Sequence, residues 1–180
     1  FCWPVNGYLF IDPASQNWYA FIGEYKGGYG GGQSRCVLLR SKDQGASWQN
    51  LGPCLQGSKE VFDKDGHTPD ASVVYDKGRY HMVYDWGEKD FNDEGGLAYA
   101  WADKPEGPWH RAAQPITRNT QIAKIDGRYS RTYGGTLIKR KHDWLILLLL
   151  DHAPNSWTLA AMVSKNQDGP YTIPRIVRQV

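Results

Sequence analysis

The feature that most constrains the fold of this 180-residue chain is a repeat with a period of about 61 residues. Three segments align without gaps, beginning at residues 41, 102 and 164, and they read SKDQGASW, ADKPEGPW and SKNQDGPY. Each segment carries turn residues in its middle and ends in an aromatic residue. A motif that recurs at a fixed interval predicts that one supersecondary unit is used three times.

Short apolar segments precede each turn in the same order, and their length and composition are typical of β-strands. In the second unit they cover residues 72–75, 79–84 and 97–101. With the segment after the final aromatic residue, each unit has four strands, which is the composition of a β-propeller blade. We therefore predict an all-β propeller, and a β-sandwich with accidental internal similarity is the alternative.

The repeat predicts a single partial β-propeller domain over residues 1–180, with blades at about 5–60, 68–120 and 131–180. Propellers close with roughly four to eight blades, so three blades leave the ring open. Either further blades or a second copy in a homodimer would complete it. The chain begins and ends in strand-like sequence, so we expect either a piece of a longer protein or a trimmed chain.

Composition excludes several classes of protein. The chain has 21 Lys and Arg against 19 Asp and Glu, a net charge of +2 that predicts neither nucleic acid nor an anionic membrane as a partner. The longest apolar run, residues 144–150, is far shorter than the roughly 20 residues of a membrane-spanning helix. The 20 Gly and the 8 Trp, 11 Tyr and 5 Phe agree with a β-rich repeat protein.

Three cysteines, Cys2, Cys36 and Cys54, cannot all pair within the chain. Cys36 and Cys54 flank the first predicted turn, and the expected strand partner of Cys36 is residue 53 or 54. The two thiols could therefore form a cross-strand disulfide, or both could remain reduced in the core. No signal peptide is visible in the sequence. A disulfide would fit a secreted or periplasmic protein, which is the location we expect.

The first turn, Ser41 to Trp48, matches the Asp-box pattern Ser-x-Asp-x-Gly-x-x-Trp of sialidases and other propellers, a structural motif on the face opposite the active site. Residues 68–84, TPDASVVYDKGRYHMVY, resemble a strand pair of five-bladed propeller glycoside hydrolases. These are the arabinanase, β-xylosidase, invertase-like and neoagarobiose hydrolase families. Residues 97–109 and the Gly-Pro-Tyr of residues 169–171 resemble the strand and turn that follow in them.

The resemblance implies a five-bladed ring of about 300 residues at this period, so that about two blades lie outside this chain. It also places an active-site aspartate of those hydrolases at Asp70, as a catalytic or pKa-modulating carboxylate. The alternative for Asp70 is an Asx cap before a strand, which the preceding proline makes credible.

Propeller geometry predicts where other functional side chains lie, because the starts of inner strands and the ends of second strands share one face. The candidate catalytic carboxylates on this face are Asp70, Asp85, Glu24 and Asp151. The candidate substrate-binding residues are His67, Trp86, Tyr25, Arg131, Tyr133, His152 and Trp157. The acidic residues at second-strand ends could equally be solvated, and Asp93 and Glu94 could supply an acid or belong to a flexible polar loop.

Glycoside hydrolysis needs two carboxylates, one protonated and one ionised, with aromatic rings to stack on sugar faces. The leading hypothesis is a glycoside hydrolase, or a fragment of one, that cleaves a plant or algal carbohydrate. The alternative is a non-catalytic propeller that binds carbohydrate or protein, since fold does not determine function. No Cys/His spacing typical of metal sites and no phosphate-binding loop is present, so we expect neither a cofactor nor a metal.

Overall fold

The structure is a computed structural model, and it describes residues 2–26, 34–57, 62–63, 68–87, 94–125, 131–152 and 156–178. The described strands are β1 (Cys2–Ile11), β2 (Trp18–Lys26), β3 (Ser34–Ser41), β4 (Gln49–Gln56), β5 (Ala71–Asp76), β6 (Arg79–Gly87), β7 (Gly95–Ala102), β8 (His110–Arg111), β9 (Arg131–Lys139), β10 (Trp144–His152), β11 (Ser156–Ser164) and β12 (Arg175–Arg178). One short helix, α1 (Asn119–Ile125), precedes β9. No helix in the described part of the chain is long and apolar enough to cross a membrane.

The strands form three four-stranded antiparallel meanders, each built from consecutive strands: β1 to β4, β5 to β8, and β9 to β12. We call these the first, second and third sheets. Their innermost strands, β1, β5 and β9, lie next to one another in that order, since β5 contacts both β1 and β9. The second sheet therefore has a neighbouring sheet on each side.

The sequence repeat coincides with the same structural position in each sheet, because each repeated segment starts on the last residue of the third strand. The three turns also share one backbone hydrogen bond. It runs from Ala46 N to Asp43 O (3.2 Å), from Gly107 N to Lys104 O (3.0 Å) and from Gly169 N to Asn166 O (3.2 Å). The three segments, residues 41–48, 102–109 and 164–171, are therefore equivalent in structure as well as in sequence.

Polar and aromatic contacts fix the second sheet against the first. The Tyr80 hydroxyl donates to Asp12 Oδ1 at 2.7 Å, and the Phe10 and Tyr80 rings pack edge to face at 5.9 Å between centroids. The Tyr19 hydroxyl of the first sheet donates to Glu106 Oε1 at 2.8 Å. The buried aromatic side chains expected from the composition thus lie at the contact between sheets.

A close backbone approach fixes the second sheet against the third. A Cβ atom built at Gly135 on β9 would lie 2.9 Å from the Val83 side chain and 3.0 Å from that of Leu97. The Leu137 amide donates to Ser72 Oγ at 3.0 Å across the same contact. Glycine at position 135 lets β9 pack directly on the second sheet, because any larger residue would push the two apart.

The strand register at the cysteines differs from the predicted one. A β-bulge between Cys36 and Val37 shifts the pairing, so Cys36 lies opposite Leu55 rather than opposite residue 53 or 54. Both thiols are free, and Cys54 Sγ donates to the Cys36 carbonyl at 3.4 Å. The bulge inserts an extra residue that spacing alone does not reveal. Of the two alternatives left open by the sequence, the structure has the reduced pair.

Candidate functional site

A pocket of about 420 Å³ opens where the second strands end and the inner strands begin. It is lined by Tyr25 of the first sheet, by Pro69, Asp70, Asp85, Trp86, Gly87, Glu94, Gly95 and Gly96 in and around the second, and by Asn119, Arg131, Thr132 and Tyr133 from α1 and β9. All three sheets therefore contribute to it. The predicted face and six of the predicted residues, Asp70, Asp85, Trp86, Tyr25, Arg131 and Tyr133, meet in this one pocket.

Asp70 lies immediately before β5, and its two carboxylate oxygens differ in their hydrogen bonding. Asn6 Nδ2 donates to Asp70 Oδ2 at 3.0 Å. Oδ1 is buried without a hydrogen-bond partner among the described residues, and a Cβ atom built at Gly23 would lie 3.0 Å from it. Burial raises the pKa of the Asp70 carboxyl, and the Asn6 hydrogen bond partly opposes that rise.

Asp85, near the end of β6, is only 7% exposed. Both of its carboxylate oxygens lie 3.1 Å from the Gly134 amide nitrogen, which donates to them from β9. Burial raises the pKa of Asp85 well above its usual range, and the negative charge of Asp70 raises it further. Hydrogen bonds from the Gly134 and Gly135 amides lower the pKa of Asp85 and so partly oppose this rise. The pocket thus holds two neighbouring carboxyl groups that disfavour simultaneous ionisation.

Aromatic side chains form the walls of the pocket. Trp86 is buried, its Nε1 donates to the Thr117 carbonyl at 3.2 Å, and the Phe62 ring packs edge-on against it at 4.9 Å. Tyr25 is also buried and lines the pocket from the first sheet. Both rings are packed by their neighbours and leave little surface exposed in the pocket.

The wall from the third sheet is more open. Arg131 Nη1 donates to the Tyr133 hydroxyl at 3.1 Å, and both side chains line the pocket. The Trp157 ring packs edge-on against Tyr133 at 5.0 Å. Trp157 is 52% exposed and lies outside the lining, next to its rim. A substrate that leaves the pocket on this side would meet the Trp157 ring.

Two predicted carboxylates lie outside the pocket lining. Glu24 Oε2 forms an ion pair with Arg35 Nε at 2.6 Å on the first sheet. Asp151 is half-buried at the end of β10, where its backbone pairs with Arg131 and with Trp157. His67 lies outside the described residues, and only the backbone of His152 is described, paired with Ser156. The predicted role of these four residues stays a prediction.

The sequence did not predict some of the residues that line the pocket, and it left the role of others open. Glu94, which the sequence left either as an acid or as part of a flexible polar loop, lines the pocket, and its Oε2 accepts a hydrogen bond from Thr120 Oγ1 at 2.7 Å. Asn119 Oδ1 accepts from the Thr132 amide at 3.1 Å. Asn119 and Thr120 belong to the connection after the second sheet, which lies outside the repeat. The one usable signal was the Gly95-Gly96 pair directly after Glu94.

Within the described ranges, no group of three or more His, Cys, Asp and Glu side chains is arranged to hold a metal ion. The pocket lining supplies carboxyl groups, an arginine, amides and phenols. Paired carboxyl groups with different environments can divide the roles of acid and base.

Structural comparison identifies the class of fold. A family 117 glycoside hydrolase, Zg3597, from the marine bacterium Zobellia galactanivorans matches 94% of this chain with a TM-score of 0.71 at 14% identity. A thermostable family-43 glycoside hydrolase matches 95% with a TM-score of 0.66 at 17% identity. An exo-1,5-α-L-arabinanase from a bovine ruminal metagenomic library matches 95% with a TM-score of 0.65 at 15% identity. No protein-family model and no curated protein sequence matches the chain.

These neighbours are five-bladed β-propeller glycoside hydrolases, and the chain has the fold of part of such a propeller. The predictions of an all-β propeller and of the resemblance to these hydrolases are confirmed. The chain spans 54%, 61% and 55% of the length of the three structures named above. Three sheets fit that share, since three of five blades are three fifths of a ring.

Proposed function

We propose that this protein is a glycoside hydrolase, or a part of one, that cleaves a plant or algal poly- or oligosaccharide in the pocket between its three sheets. One observation carries the proposal: Asp70 and Asp85 line the same pocket, and burial raises the pKa of both carboxyl groups. The fold, which is shared with glycoside hydrolases, supports it.

The two carboxyl groups have environments that assign them different roles. Asp85 is the more deeply buried and faces the charge of Asp70, so it retains its proton and acts as the general acid toward the leaving oxygen. Asp70 ionises first, because Asn6 donates a hydrogen bond to its carboxylate. The ionised Asp70 then acts as base or nucleophile, or stabilises the positive charge that develops on the sugar ring.

The remaining lining favours a sugar over a flat aromatic ligand. Arg131, Tyr133 and Asn119 supply donors and acceptors for ring hydroxyls, and Glu94 adds a third carboxylate beside the acid–base pair. The exposed Trp157 ring at the rim offers a stacking surface for a second sugar unit. An extended neutral oligosaccharide would therefore contact the pocket at one unit and the rim at the next.

The test is hydrolysis of arabinan, xylan, fructan and agar oligosaccharides by the protein and by its Asp70→Asn and Asp85→Asn variants. We expect each variant to lose at least about 100-fold in kcat/KM, the usual contribution of a general acid or base. Glu24→Gln is the matched control, because Glu24 occupies the equivalent strand end on the first sheet but lies outside the pocket. Unchanged hydrolysis in both aspartate variants would refute the assignment.

A non-catalytic carbohydrate-binding protein is the second candidate, and one observation favours it. Both oxygens of Asp85 are already engaged by the Gly134 amide, so this carboxyl group also serves to join two sheets. If the wild-type protein cleaves no oligosaccharide in the panel but binds one by calorimetry, and Tyr133→Ala weakens that binding, this second function replaces the first.

A secreted or periplasmic location and the manner of ring closure stay predictions. Cell fractionation tests the first. The molecular mass in solution tests the second, because closure by a second copy requires a dimer, whereas closure by further blades does not.

A further inference from the structure

A second cavity lies on the face opposite the candidate active site. It is a groove of about 840 Å³ between the second and third sheets, formed where β5 turns into β6, β9 turns toward β10, and β7 and β11 end. Its charged lining consists of Lys77, Arg79, Lys139 and Lys165 with Asp76 and Asp103. The groove therefore carries four cations against two carboxylates, a net charge of +2.

The cations of the groove are poorly neutralised by the protein itself. Within the described residues, neither Lys77 nor Lys165 has an ion-pair partner within 4.0 Å, and both are exposed. The Arg79–Asp103 pair is long, at 3.6 Å between Nε and Oδ1, and both side chains are largely exposed. Such clustered like charges repel one another, so an anion bound among them would relieve that repulsion.

Two of the cations are held in place by aromatic rings. The Lys139 ammonium lies 4.5 Å from the centre of the Trp144 ring, and the Arg79 guanidinium lies 4.0 Å from that of Trp101. A cation over a ring face keeps its charge while losing side-chain freedom. Positions for two anionic groups are thus partly organised before any ligand binds, which lowers the entropy cost of binding.

We propose that this groove is a second carbohydrate-binding site, which takes an oligosaccharide bearing carboxylate or sulfate groups. The lining also contains Asn166 and Gln167, whose amides can hydrogen-bond to sugar hydroxyls. Asp76 and Asp103 can accept hydrogen bonds from hydroxyl groups, which every sugar unit offers and a DNA chain lacks along its backbone. The mixed lining therefore favours an acidic glycan over a nucleic acid.

The position of the groove determines what this site can do. The groove lies on the opposite face from the pocket. A glycan bound in the groove is therefore not the segment bound in the pocket: it is either a separate chain or a distant part of the same chain. The groove would hold the protein on an acidic polysaccharide matrix without taking part in chemistry. This inference is independent of the proposed hydrolysis, since it concerns binding alone.

The experiment measures binding of labelled ligands by fluorescence polarisation. Three are hexasaccharides, namely oligogalacturonate, a sulfated carrageenan and neutral xylohexaose, and the fourth is a single-stranded DNA hexamer. The test variant is Lys139→Ala/Lys165→Ala. The matched control is Lys42→Ala/Lys141→Ala, because Lys42 occupies the repeat position of Lys165 on the first sheet and Lys141 lies in the same turn as Lys139, but neither lines the groove.

We expect at least one anionic hexasaccharide to bind, and the groove variant to bind it about five- to tenfold more weakly, as two exposed charge contacts allow. The control should bind within about twofold of wild type, and added salt should weaken binding through screening. The carboxylate and sulfate arms identify the anionic group. Equal binding of xylohexaose or of a single-stranded DNA hexamer, or an unaffected groove variant, would overturn the proposal.

Discussion

The ends of β2 and β6 occupy the same position in the repeat, and both carry a carboxylate, yet their surroundings differ completely. Glu24 on the first sheet pairs with Arg35 of the neighbouring strand, and both side chains remain partly exposed. Asp85 on the second sheet is buried and accepts hydrogen bonds from the amide of Gly134, which belongs to the third sheet. The same residue type at the same position is therefore a surface ion pair in one place and a pocket carboxyl in the other.

The difference arises from the neighbours of each sheet. The second sheet packs between the first and the third, so the end of β6 is enclosed from both sides. Enclosure removes water, and the removal of water shifts the pKa of Asp85. Position within the repeat thus determines the face on which a side chain lies, and the adjacent sheet determines whether that side chain enters a pocket.

The largest effect expected from this comparison concerns two glycines, one on each sheet. Gly96 on β7 has a φ of +149°, and a Cβ atom there would lie 2.7 Å from Thr117 Oγ1 and would also meet the Thr117 backbone. Gly52 on β4 has a φ of +86° but nothing within 4 Å. Gly96→Ala should therefore lower stability by about 3 kcal/mol or more, and Gly52→Ala by only about 1 kcal/mol, the cost of the backbone conformation.

Thermal unfolding measures both variants. For a chain of this size, about 3 kcal/mol corresponds to a loss of roughly 6–12 °C in Tm. Gly96→Ala should also disturb the pocket, because Thr117 accepts a hydrogen bond from Trp86. Equal losses in the two variants would show that enclosure of the second sheet does not distinguish them.

The sequence predicted the sheets well and the pocket partially, for a physical reason. Turn residues and alternating apolar segments act locally, so the repeat alone located Ser41, Ala102 and Ser164 at equivalent strand ends. The repeat predicted that Asp70 and Asp85 share a face. Glu94 is instead held in the pocket by a hydrogen bond from Thr120, and Thr120 belongs to a connection that has no counterpart in the other repeats. Contacts between sheets depend on packing distances that a single sequence does not encode in its spacing.

The next prediction concerns the pH dependence of stability. The pKa of Asp85 is raised in the folded protein, so its contribution to stability is fully present below the unfolded value of about 3.9 and is lost as pH rises through the folded pKa. The side chain in Asp85→Asn binds no proton, so the variant lacks this pH-dependent loss of stability. It should raise Tm at pH 7 by roughly 2–4 °C, and this advantage should disappear near pH 4.

Asp43, in the turn of the first sheet, is the matched control with the opposite sign. Hydrogen bonds from Ser47 and Ser41 lower the pKa of Asp43 to about 2. Its contribution is therefore present above the unfolded pKa of about 3.9 and is lost as pH falls from about 4 to about 2. Asp43→Asn should destabilise the protein at pH 7. If Asp85→Asn also destabilised it at pH 7, the hydrogen bonds from Gly134 would outweigh the cost of burying the charge.

The smallest effect is expected at Glu24, where the comparison began. The ion pair between Glu24 and Arg35 has a short Oε2–Nε distance of 2.6 Å, but the side chains are 23% and 42% exposed. Solvent screening limits such pairs to about 1 kcal/mol or less, so Glu24→Gln should lower Tm by no more than about 4 °C, and less in high salt. Hydrolysis should stay within about twofold of wild type. A loss of more than tenfold in kcat/KM would place Glu24 in the catalytic machinery, and would mean that a carboxylate can act from this strand end without a sheet enclosing it on both sides.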